Sequence, residues 1–570
     1  MRERITIHLI VTCANVPRFR LLPFTLAPPS PAAAWTVVLC TTASLMTGCV
    51  ARREQYDVPA VVLPTSYRNV QSTRGRDMST VAAAVQTSKG RKTVQPMLVR
   101  LLDGALPQWW QLLISPELDA LMARALTSNQ DLRAANARIT QALARAGQAD
   151  ADHYPTVSLT GSSAIDAPAG GVGSVLPGGE IKSSKTHKIG LSGEWRADLW
   201  GERQAASDSA DLQVLRATFQ RDDVQRQLVA DIASTYIEYL VLNDRLRVAH
   251  ESEAVFTEML SMVEARFKAK DASALDLEQQ RATVYAAQAA IPTQEQQRAE
   301  ASTRLALLVG AVPGSLSLSD KGLDSLYFPD VIPGVPGNLL LRRPDVRMME
   351  AKLLSADADI DVARARVLPA LDLTGQLGQG SHAWGSLLSS HSLFWGAVAS
   401  LSVAIFDHGK RQQEVGFARA VHEELAEGYV KTIHTAVREV EDSMNAIEKT
   451  GRRLSAQEKA TTSSRAAWQY SREGWRAGAV EYMTALDAQR SWYRSRDELH
   501  VVHRDRYRAL VSLFSALGGG VDVGASLPGE GVRPEVTPVN RGRVRLSQAG
   551  DASGYKTVAG REIAGKGQHE

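Results

Sequence analysis

The stretches "FKAKDASALDLEQQR" (267–281) and "WRAGAVEYMTALDAQR" (475–490) decide the fold. Each joins an aromatic–basic–Ala opening to a short polar break and then to a helix-like pattern. The second stretch begins 208 positions after the first, at residue 475 against residue 267. This echo predicts that the chain contains one structural unit of about 200 residues twice.

Segments without helix breakers surround both stretches. Residues 202–309 contain no Gly, and Pro292 is their only Pro. Because Gly and Pro interrupt helices, this composition predicts a helix over about 199–266, roughly 100 Å long at ~1.5 Å per residue, followed by a return helix. The second copy predicts a matching long helix from about residue 408 and a return helix after a break at 473–480.

Four short segments alternate between apolar and polar residues, as strands with one apolar face do. They are 153–163, 188–200, 368–379 and 395–407. A half-buried strand of a soluble sheet gives the same alternation. In a membrane a sheet needs closed edges and about eight strands or more, so four strands cross one only if two copies supply eight or three copies supply twelve. Trp195 and Trp395, near strand ends, favour the membrane because aromatic residues collect at its interfaces.

The composition excludes several classes of function. A net charge of +3 without a basic stripe between aromatic residues does not suit nucleic-acid binding. No run of about 18 apolar residues follows residue 50, so no transmembrane helix is expected there. The sequence has no G-x-S-x-G, no Walker A loop and no C-x-x-C, and "HEELAE" (422–427) lacks the second His of a zinc protease. The acids of "DADID" (357–361) are interpreted as a solvated face. We therefore expect no enzyme, no metal site and no cofactor.

The N-terminal segment has the order of a secretory signal, with Arg18 and Arg20 before the apolar run 32–46. The sequence "TGC" that ends at Cys49 resembles a bacterial lipobox. That resemblance implies an S-diacylglycerol and an N-acyl lipid on Cys49, and outer-membrane sorting because Val50 rather than Asp follows. The alternative is an ordinary signal peptide with an incidental Cys.

The predicted organisation combines these patterns into six parts. They are a lipoprotein signal peptide (1–48), an extended N-terminal segment (49–114), a first repeat (115–312), a connector (313–343), a second repeat (344–520) and a disordered C-terminal tail (521–570). The fold class expected is mainly α with β: long helical hairpins in duplicate, plus four membrane-spanning strands in each chain.

Several segments, in order and within this duplicated frame, resemble TolC-like outer-membrane efflux channels of the lipid-anchored NodT type. The resemblance covers about 105–520 and rests on "WWQLL" (109–113), "SPELDALMARAL" (115–126), "YPTVSLTGS" (154–162), "WRADLWG" (195–201), "RRPDVR" (342–347), "PALDLTG" (369–375) and "LDAQR" (486–490). It implies a homotrimer that forms one twelve-stranded barrel in the cell outer membrane and a helical tunnel about 100 Å long in the periplasm. The connector would belong to a belt around the tunnel. The expected partners are a periplasmic adaptor (membrane fusion protein), an inner-membrane RND pump and outer-membrane lipid.

The resemblance also places a gate at the periplasmic mouth. Carried over by position, Met483 forms an apolar ring and Asp487 an acidic ring, with Arg490 as a nearby salt-bridging or hydrogen-bonding partner. Met483 and Asp487 are four residues apart and share one side of a helix. Three converging Asp487 side chains would attract cations. The alternative is that Asp487 is a solvated acid near a helix N-terminus. Thr484 stands where the family often has a second acid.

The tips of the helical hairpins are where the family meets its adaptor. Gly478, between Ala477 and Ala479, fills the usual Gly position of the second tip. Lys270 stands there in the first tip, so that turn is expected to be built differently and its adaptor contact is open.

The resemblance implies a passive trimeric duct that exports drugs or other small molecules, received from the pump and adaptor, across the periplasm and outer membrane. Two other functions fit parts of the sequence. The same channel could serve a type I secretion system, and the long helices with a lipid anchor would suit a structural coiled-coil lipoprotein. The sequence itself does not name the cargo, the pump or the adaptor.

Overall fold

The computed structural model describes residues 108–166, 184–329 and 343–521. The elements in these ranges are α1 (Pro116–Ser128), α2 (Gln130–Ala151), β1 (Thr156–Asp166), β2 (Ser184–Ala197), α3 (Glu202–Lys268), α4 (Ala274–Leu308), α5 (Pro344–Ala365), β3 (Ala370–Ser381), β4 (Leu393–Ser402), α6 (Lys410–Arg476) and α7 (Tyr482–Ala516). The predicted signal segment, the predicted lipid on Cys49, residues 330–342 of the connector and the tail after residue 521 lie outside the described residues.

The helices occur in matched pairs, which makes the duplication visible in their lengths. Helices α3 and α6 each have 67 residues, α4 and α7 each have 35, and α2 and α5 each have 22. A helix of 67 residues is roughly 100 Å long at ~1.5 Å per residue. None of the helices in the described ranges has the length and apolar composition needed to cross a membrane.

Local sequence explains where the long helices begin and turn back. Gly201 and Gly409, each with a φ of 78°, precede α3 and α6. Ser273 caps α4, because its Oγ accepts a hydrogen bond from the Asp276 backbone N–H at 3.1 Å while the Asp276 carboxylate accepts one from the Ser273 N–H at 3.1 Å. Pro292 lies inside α4.

The four strands form one antiparallel sheet in the order β1-β2-β3-β4, so β2 of the first repeat pairs with β3 of the second. The register aligns an apolar row across all four strands, and its members are exposed by 74, 49, 53 and 77%: Leu159, Leu191, Leu377 and Trp395. The next row, on the other face, is polar or small: Ser158, Ser192, Gln376 and Gly396. One face of the sheet is therefore apolar and largely uncovered within the described chain.

Two glycines allow the strands of the two repeats to approach closely. A Cβ added at Gly378 would lie 2.4 Å from the Ile189 carbonyl oxygen, and one at Gly190 would lie 2.7 Å from the Leu377 carbonyl oxygen. Such contacts leave no room for a side chain, so the close pairing of β2 and β3 at this point requires Gly at both positions.

The ends of the strands differ from the sequence-based expectation. Strand β4 ends at Ser402 instead of near residue 407, and Ile405 beyond it is 96% exposed. The early end matches the start of the partner strand: Ser402 pairs with Ala370, the first residue of β3, and Pro369 before it has no N–H to continue the ladder. After the strand, the Asp407 carboxylate accepts a hydrogen bond from the Gly409 N–H at 3.0 Å. Asp side chains form such local bonds in turns, and this one leads the chain into α6.

The core lies where α1, α3 and the end of α7 meet. Trp109 stacks on Phe514 with ring centroids 5.0 Å apart, and both are buried. Trp109 belongs to a 3-10 helix (Trp109–Leu113), so the end of the segment expected to be extended (49–114) is folded into the core instead. Two adjacent tryptophans that bury large apolar areas explain this difference.

Glu117 ties α1 to α3 and to the first part of the connector. Its carboxylate accepts hydrogen bonds from the Ser319 N–H at 2.8 Å and from the Tyr236 hydroxyl at 2.8 Å. Burial by itself would raise the pKa of Glu117, but these hydrogen bonds lower it below its usual range. The connector residues 313–329 are thereby held against the long helix of the first repeat.

Candidate functional site at the hairpin tips

The two hairpin tips have the same backbone geometry. Lys270 has a φ of 61° and Gly478 a φ of 76°, both in the left-handed region. In the first tip the Asp271 N–H donates to the Arg266 carbonyl at 2.8 Å, and in the second the Ala479 N–H donates to the Gly474 carbonyl at 2.8 Å. This is the usual end of a helix, in which the left-handed residue is most often Gly. The expectation that Lys270 would build a different turn is wrong: an exposed Lys adopts the same conformation, at a cost of roughly 1–2 kcal/mol.

The tips are joined to each other within one chain. The Arg266 guanidinium lies over the Trp475 ring at 4.2 Å, and its Nη2 donates to the Trp475 carbonyl at 3.1 Å. Trp475 and Tyr482 of the second hairpin share a buried cluster with residues of the first: Met259, Val263 and Leu277. Because cation–π, hydrogen-bond and apolar contacts coincide here, the two tips form one packed unit.

Helix α7 is fastened to α4 by two polar contacts. The Tyr482 hydroxyl donates to Gln280 Oε1 at 2.7 Å, and Gln280 Nε2 in turn donates to the Phe256 carbonyl at 2.7 Å. Gln280 is fully buried, and burial raises the pKa of Tyr482. Farther along α7, Arg490 Nη2 donates to Thr283 Oγ1 at 2.5 Å. These contacts hold the start of the return helix of the second repeat against that of the first.

The structure places the predicted gate residues on the exposed side of α7. Met483 is 38% exposed and Asp487 is also exposed. Among the described residues the Asp487 carboxylate has no hydrogen-bond or ion-pair partner. Arg490 binds Thr283 rather than Asp487 in this chain. Met483 and Asp487 are therefore available to groups outside the protomer, whereas Arg490 serves the contact between the hairpins.

The predicted adaptor-contact residues lie at the extreme turn of the second hairpin. Ala477, Gly478 and Ala479 are all exposed. A Cβ added at Gly478 would meet no atom within 4 Å. The second tip thus presents a small, open surface.

Gln280, Thr283, Tyr482 and Arg266 were missed by sequence reasoning. A signal for Gln280 and Thr283 exists, because they lie at helical spacing with the buried residues Leu277 and Val284. A polar residue on the apolar face of a helix needs a partner when it is buried. The sequence does not show that the partners come from the other repeat, 202 and 207 residues away.

Comparisons with known proteins agree with this architecture. The sequence model of the family described as "Outer membrane efflux protein" matches residues 121–311 and 335–519. The chain is 35% identical to the pyoverdine export outer membrane protein OpmQ of Pseudomonas aeruginosa, over 72% of this chain and 87% of that protein. It is 30% identical to the solvent efflux pump outer membrane protein SrpC of Pseudomonas putida, over 84% of this chain and 97% of that protein. The solved structure of the outer-membrane channel OprN matches with a TM-score of 0.70 at 25% identity, over 83% of this chain and 99% of that one.

A duplicated helical hairpin fused to an amphipathic four-stranded sheet defines a TolC-like outer-membrane channel. The chain belongs to the outer membrane efflux protein family. It is an efflux channel of the outer membrane, as the sequence predicted. The relatives are efflux channels rather than enzymes.

Proposed function

We propose that three copies of this chain form a passive duct that carries small molecules across the periplasm and the outer membrane. The observation that carries the proposal is the uncovered apolar face of a four-stranded sheet. In water such a face would be covered, whereas lipid solvates it. Three sheets would supply twelve strands, enough for one closed barrel.

The edges of the sheet support an assembly of several chains. Within the described residues, β1 pairs only with β2 and β4 pairs only with β3. Each edge therefore leaves a row of backbone N–H and C=O groups unpaired. Unpaired groups of this kind cost several kcal/mol each in lipid, so the β4 edge of one protomer would pair with the β1 edge of the next.

The long helices support a duct through the periplasm. Helices α3 and α6 begin close to the C-terminal ends of β2 and β4. Both helices therefore start at the same end of the strands, and each extends for roughly 100 Å. Three copies would bring together six hairpins, and their tips would converge at the far end. Met483 and Asp487 would then face their copies in the neighbouring protomers as an apolar and an acidic ring, and the Arg490–Thr283 and Tyr482–Gln280 contacts would hold the mouth narrow.

In this proposal the partner proteins supply the energy for transport and select the cargo. A duct of this kind would receive cargo from an inner-membrane RND pump through a periplasmic adaptor, which would contact Ala477, Gly478 and Ala479. The matched relatives are named for export of pyoverdine and of solvents, so small organic molecules are the cargo we favour. A type I secretion duct, with protein as its cargo, is the alternative.

A lipid anchor on Cys49 completes the proposal. Labelled palmitate is expected to attach to the wild-type chain and not to Cys49→Ala. Equal labelling of both chains, or of neither, would remove the anchor and leave the channel untouched.

The test of the duct combines oligomeric state with conductance. The full chain would be purified in detergent, weighed by native mass spectrometry and inserted into a planar bilayer. We expect a trimer and single-channel currents. A monomer, or a trimer without conductance, would refute the proposal. Introduced Cys pairs on β1 and β4 supply a second measurement, because they should crosslink one protomer to another in a ladder that ends at the trimer.

A further inference from the structure

The loop between β3 and β4, residues 382–392, folds onto the outer apolar face of the sheet. Trp384 packs its ring on His187 of β2, with ring centroids 4.4 Å apart. The hydroxyl groups of Ser381 and Ser386 are 2.5 Å apart. His187 and Ser381 are paired in the register and share the face that carries Leu191. The loop therefore covers the rim of this face and does not extend away from the sheet.

The composition of the loop is unusual for a segment in water. From residue 373 to residue 406 the sequence has no Asp, Glu, Lys or Arg. Trp384 is nonetheless 67% exposed and Leu388 is 81% exposed. The serine hydroxyls form hydrogen bonds within the loop itself. Ser389 Oγ donates to the Ser386 carbonyl at 2.8 Å, and Ser392 Oγ donates to the Leu387 carbonyl at 2.6 Å. The outward side of the loop has no Asp, Glu, Lys or Arg, and it presents the two large apolar side chains beside the exposed His382 and His391.

The position of Trp384 along the strands matches the membrane–water interface of a bilayer. Its partner His187 and the half-exposed Trp195 lie on the same face of β2. From residue 187 to residue 195 the strand extends about 26 Å at ~3.3 Å per residue, and tilt shortens this distance across the membrane. Membrane barrels have an apolar band ~25 Å tall between two aromatic girdles. Helices α3 and α6 begin at the end of the strands where Trp195 lies, so Trp384 lies at the opposite end.

A neighbouring protomer would not cover this surface. The loop contacts β2 through His187 and through the Lys185 carbonyl, which lies 2.8 Å from His382 Nδ1. The edge that would pair with another chain is that of β4, on the other side of β3. Among the described residues, which leave out 167–183 between β1 and β2, nothing further covers the exposed Trp384 and Leu388.

The geometry points to a lipid contact: the 382–392 loop inserts Trp384 and Leu388 into the interfacial region of the outer leaflet and anchors the sheet at that depth. This inference rests on the proposed function, in which the sheet spans the membrane. An indole ring suits this depth because its body is apolar and its N–H is polar.

Tryptophan fluorescence with brominated lipids tests the contact. The full chain and its Trp384→Phe variant would be reconstituted in phosphatidylcholine vesicles that carry bromine at carbons 6 and 7 or at carbons 11 and 12. The difference between their spectra isolates Trp384. We expect this difference to be blue-shifted, quenched more by the shallow bromines than by the deep ones, and little quenched by iodide in the water.

Two further variants separate the possible outcomes. Trp195→Phe gives the difference spectrum of a strand residue at the other edge, and Trp384→Phe with Leu388→Trp should restore the shallow quenching. If Trp195 is quenched by lipid while Trp384 and the Trp introduced at 388 are quenched only by iodide, the loop lies in water and this inference is refuted. If no component is quenched by lipid, the sheet does not span the bilayer and the proposed function fails with it.

Discussion

At the scale of single residues, Asp487 is the side chain with the most direct expected effect on ion flow. It is exposed on α7 and has no partner within the described part of the chain. Three copies in one mouth would hold cations by their combined charge. We expect Asp487→Ala to lower the preference for cations in reversal-potential measurements and to weaken block by trivalent cations. Asp320→Ala, which removes an acid that is 82% exposed in the connector, serves as the control. Equal effects of the two variants would contradict an acidic ring.

Arg490 is predicted to control how often the mouth opens. Its hydrogen bond to Thr283 joins α7 to α4, and a bond to a charged group contributes about 1.5–3 kcal/mol when it is shielded. Because Arg490 is exposed, we expect about 1 kcal/mol, which changes the ratio of closed to open states about fivefold. Arg490→Ala and Thr283→Val should each raise conductance in a planar bilayer, and the double variant should add little.

Arg281→Ala is the matched control for that experiment. Arg281 is a partly exposed arginine of the first hairpin that pairs with Glu264 and Glu278 of the same hairpin. Its loss should leave conductance unchanged. Additive effects of the Arg490 and Thr283 variants would show that the two residues act separately.

At the scale of elements, the contact between β2 and β3 depends on glycine. A side chain at Gly378 would collide with the Ile189 carbonyl at 2.4 Å, whereas one at Gly375 would meet no atom within 4 Å. We therefore expect Gly378→Val to reduce sharply the yield of folded oligomer on native gels. Gly375→Val, only three residues earlier in the same strand, should assemble as the wild type does. A normal yield from Gly378→Val would show that the sheet can open at this point.

Helices and strands could be predicted from the sequence to different degrees. The absence of Gly over 202–309, with Pro292 as the single Pro, predicted the long helix α3 and the return helix α4, because residues that interrupt helices are nearly missing there. Alternation predicted the four strands but not their ends, since β4 ends where its partner β3 begins, at the pair of Ser402 and Ala370. The Gly190–Gly378 approach depends on register between the two repeats, and alternation within one strand carries no information about register.

The candidate site, too, could be predicted from the sequence only in part. Met483, Asp487 and Arg490 were placed by resemblance, and the structure adds that Arg490 reaches Thr283 of the other hairpin. The clamp of Arg266 on Trp475 joins residues 209 positions apart. Local patterns find a residue that needs a partner, but the partner follows from packing of the whole chain.

At the scale of the whole molecule, two partly buried histidines make stability depend on pH. His500 and His503 of α7 lie among charged groups of α3, α6, α7 and the connector: Asp244, Glu458, Asp324, Arg496, Asp497 and Arg506. Burial lowers the pKa of both histidines, although the Asp244 carboxylate is 3.9 Å from His500 Nδ1. The folded state thus disfavours their charged forms.

The sign of the effect follows from linkage. Below pH about 6.5 the unfolded chain binds protons that the folded chain does not, so the free energy of unfolding falls as the pH falls toward the folded pKa. We expect the thermal unfolding temperature of the oligomer to drop between pH 7 and pH 5, and His500→Gln to reduce this slope. His250→Gln, at an exposed site of α3, should leave the slope unchanged. A His500→Gln slope equal to that of the wild type would contradict the prediction.

The two repeats contact each other at the sheet, along the helices and at the tips. They meet at the sheet where β2 pairs with β3, along the helices where Ser209 donates to Asp359 at 2.7 Å, and at the tips where Arg266 covers Trp475. These contacts predict that the covalent link across residues 330–342 is not needed for assembly once both halves are present. We expect two separately expressed fragments, cut in that interval, to find each other and restore export in cells, whereas either fragment alone should be degraded. The covalent link between the halves would then serve their equal stoichiometry more than the shape of the fold.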